Sequence, residues 1–237
     1  MTAADLAQRR LEPEAMDDPA VDPRLHHAAL AKLAQLNYLA GCSGAIAAEL
    51  ALLPGPLRVL DLATGAGDLP CRLMRRAQRE KRPWVVDGAD ISPTSIEHAR
   101  ARAANLEASA RPNFMVLDVL RDPLPKGYDV LMCSLFLHHL SVADALLLLS
   151  KMRTAATRAV IVQDLVRSRA AWRLTWLATR LLSRNPLILA DGPSSVAAAF
   201  TLDEATQLMH RAGLEPAHIS ARWPFRWMCT SVHHNQT

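Results

Sequence analysis

The sequence predicts an α/β fold in which a mostly parallel sheet carries helices on both faces. From residue 57 onward, short apolar runs alternate with longer segments of helical periodicity, the pattern of consecutive βαβ units. The chain has 237 residues, and 50% of them are hydrophobic. That length and composition are sufficient for one domain with a sizeable buried core.

The segment before residue 57 is helical in pattern. Asp22 and Pro23 have the form of a helix start, with aspartate as the cap and proline in the first turn. Apolar residues then recur at helical spacing as far as Gly41: Leu25, Ala29, Leu30, Leu33, Leu36 and Leu39. A second short helix is predicted over Gly44–Leu53 and ends at a Pro-Gly-Pro turn. We therefore expect residues 1–56 to form an N-terminal helical extension, with Glu14–Pro19 as an extended connector.

Five strands are predicted in the middle of the chain, each from a short apolar run. They are Leu57–Ala63, Trp84–Asp90, Phe114–Leu117, Tyr128–Ser134 and Ala159–Asp164. Helices are predicted over Leu69–Lys81 and Pro93–Leu106, between the first three strands. Because the strands are expected to be parallel, ligands should bind at their carboxyl ends.

The segment Ser168–Ala199 is helical but irregular, and a loop is predicted within it over Leu187–Ser195. Trp172, Trp176 and Arg180 follow one another at intervals of four residues, so they share one helical face. We expect that face to pack on the core.

The chain ends in a helix and two strands. Thr201 and Glu204 have the spacing of a capping box, which predicts a helix start. Pro216–Trp223 and Phe225–Val232 are predicted as strands joined by a short connection at Pro224.

Composition and charge exclude several classes of protein. Lys plus Arg is 27 and Asp plus Glu is 23, so the net charge is only +4, without the basic blocks that bind nucleic acid. Cys42, Cys71, Cys133 and Cys229 are far apart, which indicates reduced thiols and a cytoplasmic location. No apolar segment is long enough to predict a signal peptide or a membrane span.

The most informative motif joins the first predicted strand to the helix after it. This motif is Asp61-Leu62-Ala63-Thr64-Gly65-Ala66-Gly67-Asp68. Its small residues let the protein backbone come close to a ligand. The free N–H groups at the start of the helix favour a negatively charged group. The next strand ends at Asp90, whose carboxylate is suited to the two hydroxyls of a ribose. The third glycine of a dinucleotide fingerprint is replaced by Pro70, which disfavours an NAD-dependent oxidoreductase.

Four segments in order resemble the motifs of class I S-adenosylmethionine-dependent methyltransferases, especially small-molecule enzymes like those of ubiquinone and menaquinone biosynthesis. They are Asp61–Asp68, Asp90–Pro93, Leu117–Val119, and Tyr128–Ser134 with Leu137-His138-His139-Leu140. The sequence departs from the usual motif at Ala63, where the family has glycine. The resemblance implies a Rossmann-like, seven-stranded, mostly parallel sheet with one antiparallel strand. It also implies a methyltransferase domain over residues 57–237, with a helical lid insertion at about 166–200.

The same resemblance implies S-adenosyl-L-methionine as the cofactor. The methionine part would lie on Asp61, Ala63, Thr64, Gly65 and Gly67, with Asp68 near its ammonium group. The ribose would contact Asp90 and Ile91, and the adenine would contact Asp118 and Val119. Ser134 and Leu135 would lie on the sulfonium side. No metal site is expected.

The predicted reaction is methyl transfer to a small hydrophobic, hydroxylated metabolite of phenolic or polyketide-like type, as an O-methylation. His138 or His139 is the candidate base for the hydroxyl proton, and Asp164 is expected to be a solvated strand end. C-methylation of an aromatic or quinone precursor and a non-catalytic S-adenosylmethionine-binding regulator remain alternatives. A nucleic-acid amino-methyltransferase is disfavoured, because Ser134–Leu137 lacks the [DN]-P-P-[YF] motif. A homodimer is left open.

Overall fold

The protein is described by a computed structural model over residues 6–17, 21–22, 24–25, 28–29, 32, 35–37, 40–215 and 217–233. Its centre is a seven-stranded sheet in the order β3-β2-β1-β4-β5-β7-β6. The strands are β1 Leu57–Leu62, β2 Trp84–Asp90, β3 Phe114–Val116, β4 Val130–Ser134, β5 Ala159–Leu165, β6 Ala217–Arg222 and β7 Arg226–Val232. Only β7 runs antiparallel to its neighbours β5 and β6, and the other pairs are parallel. The predicted fold class is confirmed.

Helices cover both faces of this sheet. They are α1 Cys42–Leu52, α2 Asp68–Arg79, α3 Pro93–Ala103, α4 Val142–Ala155, α5 Arg169–Leu182, α6 Pro186–Ala198 and α7 Leu202–Arg211. Alternate residues of β1 enter different layers of the core, as the pleat of a strand requires. Leu60 and Leu62 pack with residues of α4 and α7, whereas Leu57 and Val59 pack with residues of α1 and α2. The sheet is therefore buried on both faces, which leaves the ends of its strands for ligand binding.

The loop predicted over Leu187–Ser195 is wrong, because this segment lies inside α6. The Asn185 side chain caps the helix by accepting a hydrogen bond from the Leu187 N–H at 3.0 Å. Gly192 sits where α6 crosses α5, and an added Cβ there would come within 2.7 Å of the Thr179 side chain. Gly192 is therefore needed for close packing of the two helices.

The prediction that the face of Trp172, Trp176 and Arg180 packs on the core is also wrong. Trp176 is 40% exposed, and the Arg180 guanidinium stacks over its ring at 4.0 Å. Ala171 and Thr179, on another face of α5, are buried instead. That other face turns inward toward the site described below.

The N-terminal extension is described in part. Residues 24–25, 28–29, 32 and 35–37 are helical, and the Asp22 carboxylate accepts a hydrogen bond from the Arg24 N–H at 2.7 Å. The predicted helical residues Pro23, Leu30, Leu33 and Leu39 lie outside the described residues, as do the last two of the connector Glu14–Pro19. Among the described helices, none has the length and apolar content needed to cross a membrane.

Candidate cofactor and acceptor site

A cavity of about 900 Å³ opens at the carboxyl ends of the parallel strands. Its walls come from the loops that follow β1 to β4 and from the inner faces of α5 and α6. Residues 6–17, called the N-terminal segment here, add Glu14 and Met16 to the lining. A second cavity of about 170 Å³ shares Asn37, Ala63, Gly65 and Leu135 with the first. The larger cavity is at the upper end of the size range of small-molecule sites.

The turn after β1 has an unusual backbone. Ala63, Gly65 and Gly67 all have positive φ angles, of 55°, 55° and 70°. An added Cβ at Gly65 would meet no atom within 4 Å, so this glycine borders open space in the cavity. At Gly67 an added Cβ would lie 2.6 Å from the Phe114 ring, so this glycine is required for packing of the turn against β3.

Two acidic residues of this motif line the smaller cavity, where Asp61 is buried and Asp68 is partly exposed. The Asp61 carboxylate accepts a hydrogen bond from the Thr64 hydroxyl at 2.6 Å. The pKa of Asp61 is raised to about 8, mainly by burial; the hydrogen bond from Thr64 opposes this shift, and the nearby charges of Asp68 and Asp90 add to it. Burial also raises the pKa of Asp68, although Arg102 and Arg72 oppose that shift. The smaller cavity therefore carries carboxyl groups that a bound cation would help to ionise.

Asp90 and Asp118 end neighbouring strands and order the backbone around the larger cavity. Asp90 accepts hydrogen bonds from the Gly65 N–H at 2.8 Å and from the Ser92 N–H at 2.9 Å. Asp118 accepts hydrogen bonds from the Leu120 N–H at 2.9 Å and from the next N–H at 3.1 Å. Both carboxylates are thus held at the cavity wall by fixed backbone donors.

The structure brings the predicted cofactor residues to one place. Every one of them except Gly67 lines one of the two cavities: Ala63, Gly65, Asp90, Ile91, Asp118, Val119 and Leu135 line the larger, and Asp61, Thr64, Asp68 and Ser134 line the smaller. Gly67 contributes packing, as described above. The assignment of each residue to a part of the cofactor stays a prediction.

His138 forms a buried pair with Asp164. The Nδ1 atom of His138 lies 2.6 Å from one carboxylate oxygen of Asp164, and the other oxygen accepts a hydrogen bond from the His138 N–H at 2.9 Å. Asp164 is only 1% exposed, so the expectation of a solvated strand end is wrong. Because the aspartate holds Nδ1–H, the ring presents Nε2 as its proton-accepting atom.

The contact raises the pKa of His138 and lowers the pKa of Asp164. Burial lowers the pKa of His138, but the charge and hydrogen bond of Asp164 outweigh burial, and the pKa is raised above its ordinary value. Burial would raise the pKa of Asp164, but His138 and two backbone N–H groups lower it. Each partner therefore favours the charged form of the other.

His139 and Glu14 lie on the other side of His138. The His138 and His139 ring centroids are 4.2 Å apart, and His139 Nδ1 lies 3.9 Å from a Glu14 carboxylate oxygen. Burial and the neighbouring His138 lower the pKa of His139 to about 4, so its ring is neutral at physiological pH. One nitrogen or oxygen atom from each of Glu14, His138 and His139 lies within 4.8 Å of the others, a grouping that can hold a metal ion.

Four residues of this site were not predicted: Arg9, Glu14, Asp191 and Arg226. The first three fix the N-terminal segment over the cavity. The Arg9 guanidinium donates to the His138 carbonyl oxygen at 2.9 Å, and the Asp191 carboxylate accepts hydrogen bonds from the Ala15 and Met16 N–H groups at 2.7 and 3.1 Å. No local sequence pattern marks these contacts, because their partners are more than 100 residues apart.

Comparisons with known proteins agree with this geometry. Residues 59–158 match the family described as a methyltransferase domain. The demethylmenaquinone methyltransferase of Thermus thermophilus is 41% identical over 81 residues, which are 34% of each chain. That of Deinococcus radiodurans is 36% identical over 106 residues, 44% of this chain and 41% of the relative. The matches thus span well under half of these curated relatives.

Solved structures show the same fold over a longer stretch. The plantazolicin methyltransferase BpumL, crystallised in complex with SAH, superposes with a TM-score of 0.67 at 14% identity, and the alignment covers 93% of each chain. This structure shows the fold alone, and the match of residues 59–158 to the methyltransferase-domain family supports the resemblance to S-adenosylmethionine-dependent methyltransferases.

Proposed function

We propose that the protein transfers a methyl group from S-adenosylmethionine to an oxygen of a small, hydrophobic, hydroxylated metabolite such as a phenol. The single observation that carries this proposal is the His138–Asp164 pair on the wall of a cavity whose other wall holds the methyltransferase motifs. The proposed domain spans residues 57–237, with the insertion at about 166–200 as a lid. The four cysteines are buried free thiols, which supports a reducing, cytoplasmic location.

The residues present fit the cofactor. Asp61 is a buried carboxyl group with a pKa raised to about 8, and an ammonium group bound beside it would stabilise its charged form. Gly65 leaves open space in the cavity wall, and Asp90 presents a carboxylate next to it. When bound, S-adenosylmethionine supplies an activated methyl group, so the protein needs only to align the acceptor and remove its proton.

The acceptor side of the cavity is lined mainly by apolar side chains. Leu174, Leu182 and Ile188 line it from the insertion, and Leu165 and Phe225 line it from the sheet edge. These residues favour a hydrophobic acceptor. Asp191 holds the backbone of Ala15 and Met16, and Met16 adds an apolar side chain to the cavity lining.

His138 is the proposed base. Asp164 fixes the ring and the tautomer, so Nε2 accepts the hydroxyl proton as the acceptor oxygen attacks. The raised pKa brings His138 closer to the pKa of a phenol, which favours proton transfer. His139 is a weaker candidate, because a pKa of about 4 makes it a poor proton acceptor.

C-methylation of an aromatic or quinone precursor is the second candidate. It is supported by the similarity of part of the chain to two demethylmenaquinone methyltransferases. A base beside the acceptor serves this reaction as well, since the ring must lose a proton after methyl transfer. The geometry of His138 and Asp164 is compatible with both reactions.

The two candidates are separated by the position of a labelled methyl group. The protein is incubated with S-adenosylmethionine carrying a carbon-13 methyl and with a panel of phenols and hydroxyquinones, and products are analysed by carbon-13 NMR. A methoxy signal that disappears in His138→Gln supports the proposal. A ring-methyl signal supports the second candidate, and the absence of any transfer in the presence of bound cofactor contradicts both.

A further inference from the structure

Arg226 is a buried cation on the acceptor side of the cavity. It begins β7 and lies opposite Leu165, the last residue of β5, directly after Asp164. Arg226 is only 8% exposed, and it is the one arginine or lysine among the described residues that line the larger cavity. Its position beside the carboxyl end of β5 therefore puts a positive charge near the proposed base, His138.

The guanidinium of Arg226 is poorly satisfied by the protein. Its Nη atoms make only long hydrogen bonds, to the Pro224 carbonyl oxygen at 3.4 Å and to the Asn37 amide oxygen at 3.5 Å. Its Nε atom is buried without any hydrogen-bond partner. Over the part of the chain that the structure describes, no carboxylate forms an ion pair with it. A buried charge without a counterion is costly to a folded protein.

Two neighbouring arginines have carboxylate partners. Arg167 is equally buried and forms a two-pronged ion pair with Glu204, at 2.6 and 2.9 Å. Arg222, the cross-strand neighbour of Arg226, pairs with Glu49 at 2.6 Å. Within the part of the chain that the structure describes, Arg9 has no such ion pair, but it donates to the His138 carbonyl oxygen at 2.9 Å. Arg226 has neither a carboxylate partner nor a short hydrogen bond among the described residues, and it lines the cavity.

We propose that Arg226 binds a carboxylate of the acceptor, so that the substrate is a hydrophobic hydroxy acid whose hydroxyl reaches His138. This inference rests on the proposed function and narrows its substrate class. A guanidinium recognises a planar carboxylate with two parallel hydrogen bonds, and the low polarity of the surrounding wall strengthens them.

The amino-acid end of S-adenosylmethionine also carries a carboxylate, and Asn37, which accepts a long hydrogen bond from Arg226, lines both cavities. Arg226 itself lines only the larger cavity, which favours the acceptor. The predicted cofactor residues follow β1, β2, β3 and β4, whereas Arg226 begins β7, two strands beyond β4 in the sheet. The experiment below distinguishes these two carboxylates.

The test uses S-adenosylhomocysteine-loaded protein and three pairs of probes: 4-hydroxybenzoate, 4-hydroxyphenylacetate and 4-hydroxycinnamate, each with its neutral amide. We expect wild-type protein to bind at least one acid about tenfold more tightly than its amide, as a charge-assisted hydrogen bond provides. Arg226→Gln should abolish this preference, and Arg226→Lys should restore part of it. Arg79→Gln is the matched control, because that side chain is 75% exposed.

Each other outcome overturns the proposal. If no acid binds wild-type protein better than its amide, or if Arg226→Gln keeps the preference, Arg226 does not bind an acceptor carboxylate. If Arg226→Gln instead weakens S-adenosylhomocysteine binding about tenfold, Arg226 binds the cofactor. Failure of wild-type protein to bind S-adenosylhomocysteine would contradict the proposed function itself, which is a separate result. Circular dichroism confirms folding of Arg226→Gln, and Arg226→Met serves in its place if that variant is unfolded.

Discussion

The buried carboxyl group of Asp61 makes the stability of the protein depend on pH. Its pKa is about 8 in the folded protein, against an ordinary value of 3.8. Between these two values the folded state holds a proton that the unfolded state has lost. Stability therefore falls as pH rises through this window, and it falls by up to about 1.4 kcal/mol per pH unit from this one group.

The perturbation is Asp61→Asn, which removes the titration and keeps an oxygen for the Thr64 hydroxyl. Between pH 5.5 and pH 7.5 the ceiling on the difference is about 3 kcal/mol. We expect Asp61→Asn to gain stability relative to wild type across this range, with the gap widening as pH rises. Urea unfolding followed by tryptophan fluorescence measures it, because Trp84 and Trp227 are buried.

The exposed Asp203 supplies the control, since Asp203→Asn should leave the pH dependence of wild type unchanged. If wild type and Asp61→Asn show parallel stability curves between pH 5.5 and pH 7.5, the carboxyl group of Asp61 is not neutral in the folded protein, and the reasoning fails. Saturating S-adenosylhomocysteine should flatten the wild-type curve, because its ammonium group favours ionised Asp61.

Three further predictions follow from named contacts. Ala63→Gly should raise the free energy of unfolding by about 1 kcal/mol, because Ala63 has a φ of 55°, and a less stable variant in urea would contradict the strain. Asp164→Asn should lower turnover about a hundredfold or more with an unchanged fold, since an amide has no charge and cannot accept from both Nδ1–H and the backbone N–H of His138, and a change below threefold would refute the base role. Dialysis against EDTA should leave turnover unchanged, whereas a large loss restored by zinc would indicate a metal held by Glu14, His138 and His139.

The sheet could be predicted because its strands carry local signals. The apolar runs of β1 and β2 end at the motif turn and at Asp90, and the predicted bounds agree with the structure within one residue. The cofactor side of the site follows from these strand ends, since the carboxyl ends of parallel strands meet at one edge. In α6, by contrast, a helix that contains Gly192 and Pro193 packs closely on α5, and this tertiary contact has no local signal in the sequence.

The acceptor side could be predicted only in part. His138 follows β4 and Asp164 ends β5, so a parallel pairing of these two strands was sufficient to bring them together. Reading Asp164 as a solvated strand end missed that signal. The contacts of Arg9, Asp191 and Arg226 depend on the path of the N-terminal segment and on the position of the antiparallel strand, which local patterns do not encode.

The central claim is that the motif residues form an S-adenosylmethionine site, and calorimetric titration tests it most directly. S-adenosylmethionine, S-adenosylhomocysteine and NADH are titrated into wild type, Asp90→Ala and the exposed control Asp203→Ala. We predict micromolar binding of the two sulfur compounds to wild type and to the control, loss of that binding in Asp90→Ala, and no binding of NADH. Absence of S-adenosylmethionine and S-adenosylhomocysteine binding to wild type, or binding that Asp90→Ala leaves intact, would contradict the claim.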